Sequence, residues 1–305
     1  MEKRVPEASA LRTFFHDQWG ILQNIISESR SQKIHKRRQQ KRLTDAVEHI
    51  VDRVDTRIRG VSSYNKKMRS SIHEILRHIQ RICMQLPAAI SIKRDSYINE
   101  PLINTIFSSA QELESLLKNS DEIKACADLQ QQDQKDEVYA LLLVHKEEKK
   151  ILGKEMRGDL IQSDVQQTAV NFYGHKIIAP ATSEDEARSL LERFIFEGIA
   201  SSIRSQMIQL RRQQVMQNGD QVALVPEQNM NNPETYLRVL TEQLALPKTI
   251  ISLQSNQLKI SKMGILLAAE SSESSNDLAL NELAIGRNDS LSVTLIKFRC
   301  SDWLP

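Results

Sequence analysis

Apolar residues recur at alternating spacings of four and three from residue 47 to residue 86. The positions are Val47, Val51, Val54, Ile58, Val61, Asn65, Met68, Ile72, Ile75, Ile79, Ile82 and Leu86, and all but Asn65 are apolar. A 3.5-residue period held over nearly six heptads is the mark of a coiled coil. The spacing predicts one helix about 65 Å long, with Thr44 as N-cap and Pro87 as its stop. β-Branched residues at both seam positions favour more than two strands. Ile50, Leu76 and Cys83 widen the stripe until it can touch two neighbouring helices. Asn65 either fixes the register of the seam or marks a weak point beside Gly60, Ser62 and Ser63 where the helix bends.

A second stripe lies upstream at Leu11, Phe15, Trp19, Leu22 and Ile26, opening after Pro6. Between the stripes, residues 27–42 hold one large apolar residue, Ile34, and no Gly or Pro. Two arrangements are open: a helical hairpin folded near Ser27 to Ser31, or one very long helix with a basic middle. The hairpin covers the aromatic stripe and is preferred.

Downstream the pattern shortens. Ser109 to Glu112 forms a capping box, and a polar stretch from Asn119 to Glu137 holds the boundary between two parts, 1–130 and 131–305. Val138–Val144 is a short apolar run that fits a buried strand, with Ile151–Arg157 as its hairpin partner. Gln167–Phe172 and Lys176–Ala179 read as strands across a turn at Tyr173-Gly174-His175. Acids at 184–186 open a helix whose apolar positions Leu190, Leu191, Phe194, Ile195, Ile199, Ile203, Met207 and Leu210 repeat up to Asn218-Gly219. Val222–Val225 is a strand. Asn232-Pro233 opens a helix that runs through Leu244 and closes at Pro247. From there the period is two: strands at Thr249–Gln254, Leu258–Leu267, Leu278–Ile285 and Leu291–Arg299, with turns at Ser255-Asn256-Gln257 and after Gly286. The fold class is therefore α+β: an N-terminal long helical hairpin or coiled coil, then an antiparallel sheet packed on a long helix.

Charge adds an asymmetry. The 305 residues carry a net charge of only +2, yet residues 1–99 hold 20 Lys+Arg and 10 Asp+Glu, a balance of +10. The densest run is Lys33, Lys36, Arg37, Arg38, Lys41 and Arg42, extended by Arg53, Arg57, Arg59, Lys66, Lys67 and Arg69. Such charge suits the phosphates of a nucleic acid, an anionic membrane surface or simply a solvated helix face. Neither a helix-turn-helix, nor a zinc finger, nor an aromatic single-strand platform accompanies it. No membrane span and no secretory signal is read. Three widely spaced cysteines fit a reducing compartment, so a cytoplasmic location is expected.

Candidate chemistry is sparse. The chain has no phosphate-binding loop, dinucleotide fingerprint, serine-nucleophile elbow or metalloprotease motif, and no cofactor is implied. Asp159, Asp164 and His175 form a weak candidate for a divalent metal, if folding joins them. Three functions follow in order. The first is a non-enzymatic assembly or adaptor protein that self-associates through the heptad seam. The second is a sequence-nonspecific nucleic-acid-associated protein using the basic segment. The third is a metal-dependent enzyme.

Overall fold

The computed structural model describes residues 39–121, 123–124, 136–157, 160–217, 232–268, 274–286 and 289–303. The expectations for the stripe at 11–26, for Lys33, Lys36, Arg37 and Arg38, for Asp159 and for Val222–Val225 lie outside the described residues.

The heptad stripe is not carried by one helix. Helix α1 covers 39–54, a 3-10 turn follows at Thr56–Gly60, and α2 covers Tyr64–Gln85. The break has local causes. Asp55 is extended, at φ −163°, and its side chain accepts the backbone N–H of Arg57, a bond that competes with helix. Ser63 takes a left-handed conformation, φ 58°, and Gly60, Ser62 and Ser63 are poor helix formers. The chain then doubles back. Glu48 Oε1 accepts from the Tyr64 hydroxyl at 2.6 Å and from Asn65 Nδ2 at 3.4 Å, and Glu48 Oε2 accepts from Arg59 at 3.3 Å. The weak-point reading of Asn65 is the correct one: it ties the two arms of a hairpin whose turn is at 55–63. Thr44 is no cap either; it sits inside α1 and donates to the Gln40 carbonyl at 3.0 Å.

All eleven apolar seam residues are nonetheless buried. They share one core with Leu191, Ile195 and Ile199 of α6 (Glu184–Gln217) and with Leu237 and Leu240 of α7 (Pro233–Leu244). Short helices α3 (Ser96–Asn99), α4 (Pro101–Ile106) and α5 (Ala110–Asn119) lie between α2 and α6 in the chain. The N-terminus of α6 follows the predicted acids, and Ser183 Oγ accepts from the Glu186 amide at 3.3 Å. Asn232 caps α7 through the Glu234 amide at 3.0 Å, as expected.

Two contacts lock the helical layer. At the C-terminus of α2, Arg188 of α6 donates to the carbonyls of Cys83 (2.6 Å), Leu86 (3.1 Å) and Pro87 (3.0 Å), while Glu184 holds its guanidinium at 2.6 Å. A helix leaves its last carbonyls without partners, and here a cation from another helix fills them. At the other end, the Arg57 and Arg211 guanidinium groups lie 5.8 and 5.5 Å from the Tyr236 ring centroid. Asp55 bonds Arg57 at 2.6 Å. Burial and the Asp55 charge push the Tyr236 phenol up to about 12.

The sheet has seven strands: β1 (Ile90–Ser91), β2 (Glu137–Arg157), β3 (Leu160–Ala181), β4 (Ile251–Ser261), β5 (Ile265–Leu266), β6 (Ser275–Ile285) and β7 (Asp289–Arg299). Hydrogen bonding runs β7–β2–β3–β5–β4–β6 and returns to β7, so the circuit closes. All pairings are antiparallel except that of β1, which lies parallel to β7. The alternation of β2 sorts its side chains between two cores. Leu141 and Leu143 meet the helical layer, whereas Val138, Ala140, Leu142 and Val144 meet a second layer built from residues 92–123. Gly198 lets α6 press on the sheet, because a Cβ there would stand 3.0 Å from Ile285 Cδ1.

Three predicted turns or pairings differ. Val138–Val144 and Ile151–Arg157 are one strand, β2, not a hairpin; the partner is β3. Tyr173-Gly174-His175 lies within β3, where Gly174 at φ +68° accompanies a register shift instead of a turn. Ser255-Asn256-Gln257 also lies within a strand: Asn256 pairs with Leu280, and its amide donates to Glu282 at 3.0 Å. The real turn in that region follows Ser261, with Gly264 at φ +77°.

His175 joins the second layer to β3. Its Nε2 faces the Ile106 carbonyl at 2.9 Å, its Nδ1 faces Glu112 at 3.1 Å, and Phe107 stacks on the ring at 4.5 Å. Burial acts to raise the Glu112 carboxyl, but two bonds from Ser108 and the His175 charge outweigh it and hold it below its usual 4.5. A carboxylate depressed in the folded state stabilises that state above its unfolded value, and the gain is lost as pH falls through the folded value. Glu112→Gln is therefore expected to flatten the acid limb of a stability–pH profile below about pH 4.5, and to leave the limb above neutrality unchanged. Denaturant midpoints measured across that range check it.

Candidate functional site

The residues singled out by sequence end up in three places. The seam from Val47 to Leu86 is consumed by the chain's own core, with Val47, Val51, Ile58, Met68, Ile72 and Ile75 at 0% exposure. Within the chain, α6 and α7 supply the neighbours that the wide stripe requires. Asp164 and His175 sit on the same strand, eleven residues apart and so about 35 Å from each other. The strand holds them apart, and among the described residues no group of three or more His, Cys, Asp or Glu could hold a metal ion. Cys83 is buried against α6, and desolvation pushes its thiol up to about 12, so it stays protonated at neutral pH.

The basic residues behave differently. Lys66, Arg69, His73, Arg77 and Arg81 repeat every three or four residues along α2 and fall on one face, opposite the buried stripe. All five are exposed. Their intramolecular contacts are long: Arg69 to Asn65 at 3.5 Å, Arg77 to Glu74 at 3.6 Å, Arg81 to the Arg77 carbonyl at 3.4 Å. Lys66 has no partner among the described residues. Exposed ion pairs of this kind are worth little, so the Lys66, Arg69, Arg77 and Arg81 cations are available to another anion. Lys41 and Arg42 are exposed at the first described turn of α1. Because the hairpin is antiparallel, that turn lies across from the second half of α2. The fold thus brings the end of the 33–42 run beside Arg77, which the sequence leaves 35 residues away.

Between α1, α2 and α6 runs a groove of about 610 Å³. Leu43, Ala46, Leu76, Ile79 and Phe196 form its apolar floor, and Arg42, Arg77 and Arg193 stand on its rim. Glu192 projects into it. Burial raises its carboxyl above the ordinary range, opposed by the charge of Arg42. Glu197 is already engaged, by His49 at 2.7 Å and Arg53 at 3.2 Å.

The basic face of α2 was only half visible in sequence. Lys66, Lys67 and Arg69 extend the charge run in sequence, whereas Arg77 and Arg81 stand apart from it. The signal that finds them is the three-and-four spacing applied to the polar side of the helix as well as to the apolar one. No helix among the described residues is long and apolar enough to cross a membrane. The chain matches no protein-family model, no curated protein and no solved structure.

Proposed function

We propose that the helical layer is a polyanion-binding surface, with nucleic acid as the class of ligand. One observation carries the reading: five exposed residues, Lys66, Arg69, His73, Arg77 and Arg81, line a single face of α2, beside the end of the Lys33–Arg42 run. A row of lysine and arginine cations on a rigid helix suits a regularly spaced phosphate backbone, and the affinity comes from released counterions. No groove-reading motif accompanies the row, so the contact is with phosphates and sequence-independent. Assembly through the Val47–Leu86 seam is the weaker reading, since that surface is spent inside the chain.

The test is fluorescence anisotropy with a labelled DNA duplex and a labelled RNA single strand across a salt series. Binding is expected to weaken linearly on a log–log plot. Reversing Arg69, Arg77 and Arg81 together to Glu should lower affinity at least about tenfold at low salt and reduce the slope by roughly 2–3 units. These side chains are exposed, so circular dichroism should be unchanged. Absence of salt-dependent binding to either probe, or an unchanged slope in the triple variant, overturns the proposal.

A further inference from the structure

We propose that His175 is a proton-operated latch between the second layer and the sheet. Its two ring nitrogens face two acceptors. Nε2 lies 2.9 Å from the Ile106 carbonyl, and Nδ1 lies 3.1 Å from Glu112 Oε1. A carbonyl and a carboxylate only accept, and a neutral imidazole carries a single N–H. Both contacts are therefore hydrogen bonds only when the ring holds two protons. Glu112 is fixed as an acceptor, because its Oε2 takes the Ser108 amide at 2.9 Å and the Ser108 hydroxyl at 2.6 Å. The His175 side chain is 9% exposed and Phe107 stacks on its ring at 4.5 Å, which leaves little room for water to replace a lost partner.

Loss of one proton breaks one contact. The N–H that stays is the one on Nδ1, since a carboxylate holds it more strongly than a carbonyl does. Nε2 then turns a lone pair on the Ile106 carbonyl. That carbonyl ends α4, where no intrahelical donor remains, and Ile106 is buried. A buried acceptor facing a lone pair is costly, and the joint between α4 and α5 at residues 107–109 is where the chain can yield. Yielding uncovers Ile106 and Phe107, now in the second core. The sign follows: the contacts need the charged ring, so the latch is shut at low pH and opens as pH rises. Glu112 of α5 is the charged group that meets the ring. Elsewhere on α5, Glu114 and Lys118 pair with each other, and α4 carries no charged residue. On β2, the His145 ring stacks on Tyr173, and Lys146 is held by Glu148 and Glu282. Lys176 pairs with Leu143 and so shares the face of the helical layer. The latch uses none of the cations of α2 and is independent of the polyanion reading.

Two measurements on the full chain test it. Nitrogen NMR of histidine-labelled protein, with His175 assigned by its loss in His175→Gln, should show both ring nitrogens protonated at about pH 5.5 and one of them bare at about pH 8. Hydrogen exchange of residues 101–117, corrected for the intrinsic dependence on pH, should show opening that rises roughly tenfold over the same range, while α2 stays unchanged. In His175→Gln the segment should open as readily at both pH values, because the amide does not titrate. His145→Gln should keep the parent's pH dependence. A His175 ring that carries one proton at both pH values overturns the inference. So does opening of 101–117 that is the same at both, or pH-dependent opening that survives in His175→Gln.

Discussion

Arg188→Ala is expected to lower stability by about 3 kcal/mol, read as a fall in Tm of roughly 4–6 °C. The size follows from what the guanidinium holds. It donates to three main-chain carbonyls around the end of α2 and is itself fixed by Glu184. The side chain is only 19% exposed. Those carbonyls belong to Cys83, Leu86 and Pro87, where α2 must stop because proline cannot continue it. Removing the cation leaves partly buried acceptors without a donor and Glu184 without its partner, which costs more than an average hydrogen bond returns. Arg188→Lys should recover less than half, because an ammonium cannot fork to several carbonyls at once. Chemical denaturation of the three proteins checks this. A loss below about 0.5 kcal/mol in Arg188→Ala would mean that water replaces the clamp at no cost.

The sequence makes some of this legible and hides the rest for identifiable reasons. Burial of the heptad stripe is written in its spacing, and each of its eleven apolar residues is inside. The helix break is only half legible: Gly60, Ser62 and Ser63 offer a weak point, but Ile58 and Val61 keep the apolar phase through the 3-10 turn. The competing signals are single residues, Asp55 bonding Arg57 and Ser63 at positive φ, and they carry no period. What covers the stripe is also invisible, since α6 lies more than 100 residues away and pairing is a long-range property. The strands fail differently. Lys146 to Lys150 look like a polar loop, yet they pair with β3 residue by residue. Lys146 is held against Glu282 and Glu148, so its charge is satisfied within the sheet. A strand whose exposed stretch is polar has no two-residue apolar signature to find. The candidate basic face falls between these cases. Its residues are plain in the sequence, but the juxtaposition of Arg42 with Arg77 depends on how sharply the chain reverses at 55–63, which the spacing leaves open.

Ile72→Asp is expected to unfold the protein, and Ile72→Ala to cost about 2–5 kcal/mol. Ile72 is at 0% exposure within the core shared by α1, α2, α6 and α7. An isolated carboxylate in such a site either stays charged without solvent or takes up a proton, and both routes destabilise by several kcal/mol. The same pair of substitutions also distinguishes an internal seam from one between chains. At an interface between copies, Asp would separate the chains and leave each folded, and Tm would rise with protein concentration in the parent. In a core closed by its own α6 and α7, no folded lower-mass species exists to be released. The parent's Tm should therefore be the same across a hundredfold range of concentration. Ile72→Asp should lose its helical circular dichroism without passing through a smaller, folded state on a sizing column. A folded monomer of Ile72→Asp derived from an oligomeric parent would return the stripe to the surface and overturn the four-helix core.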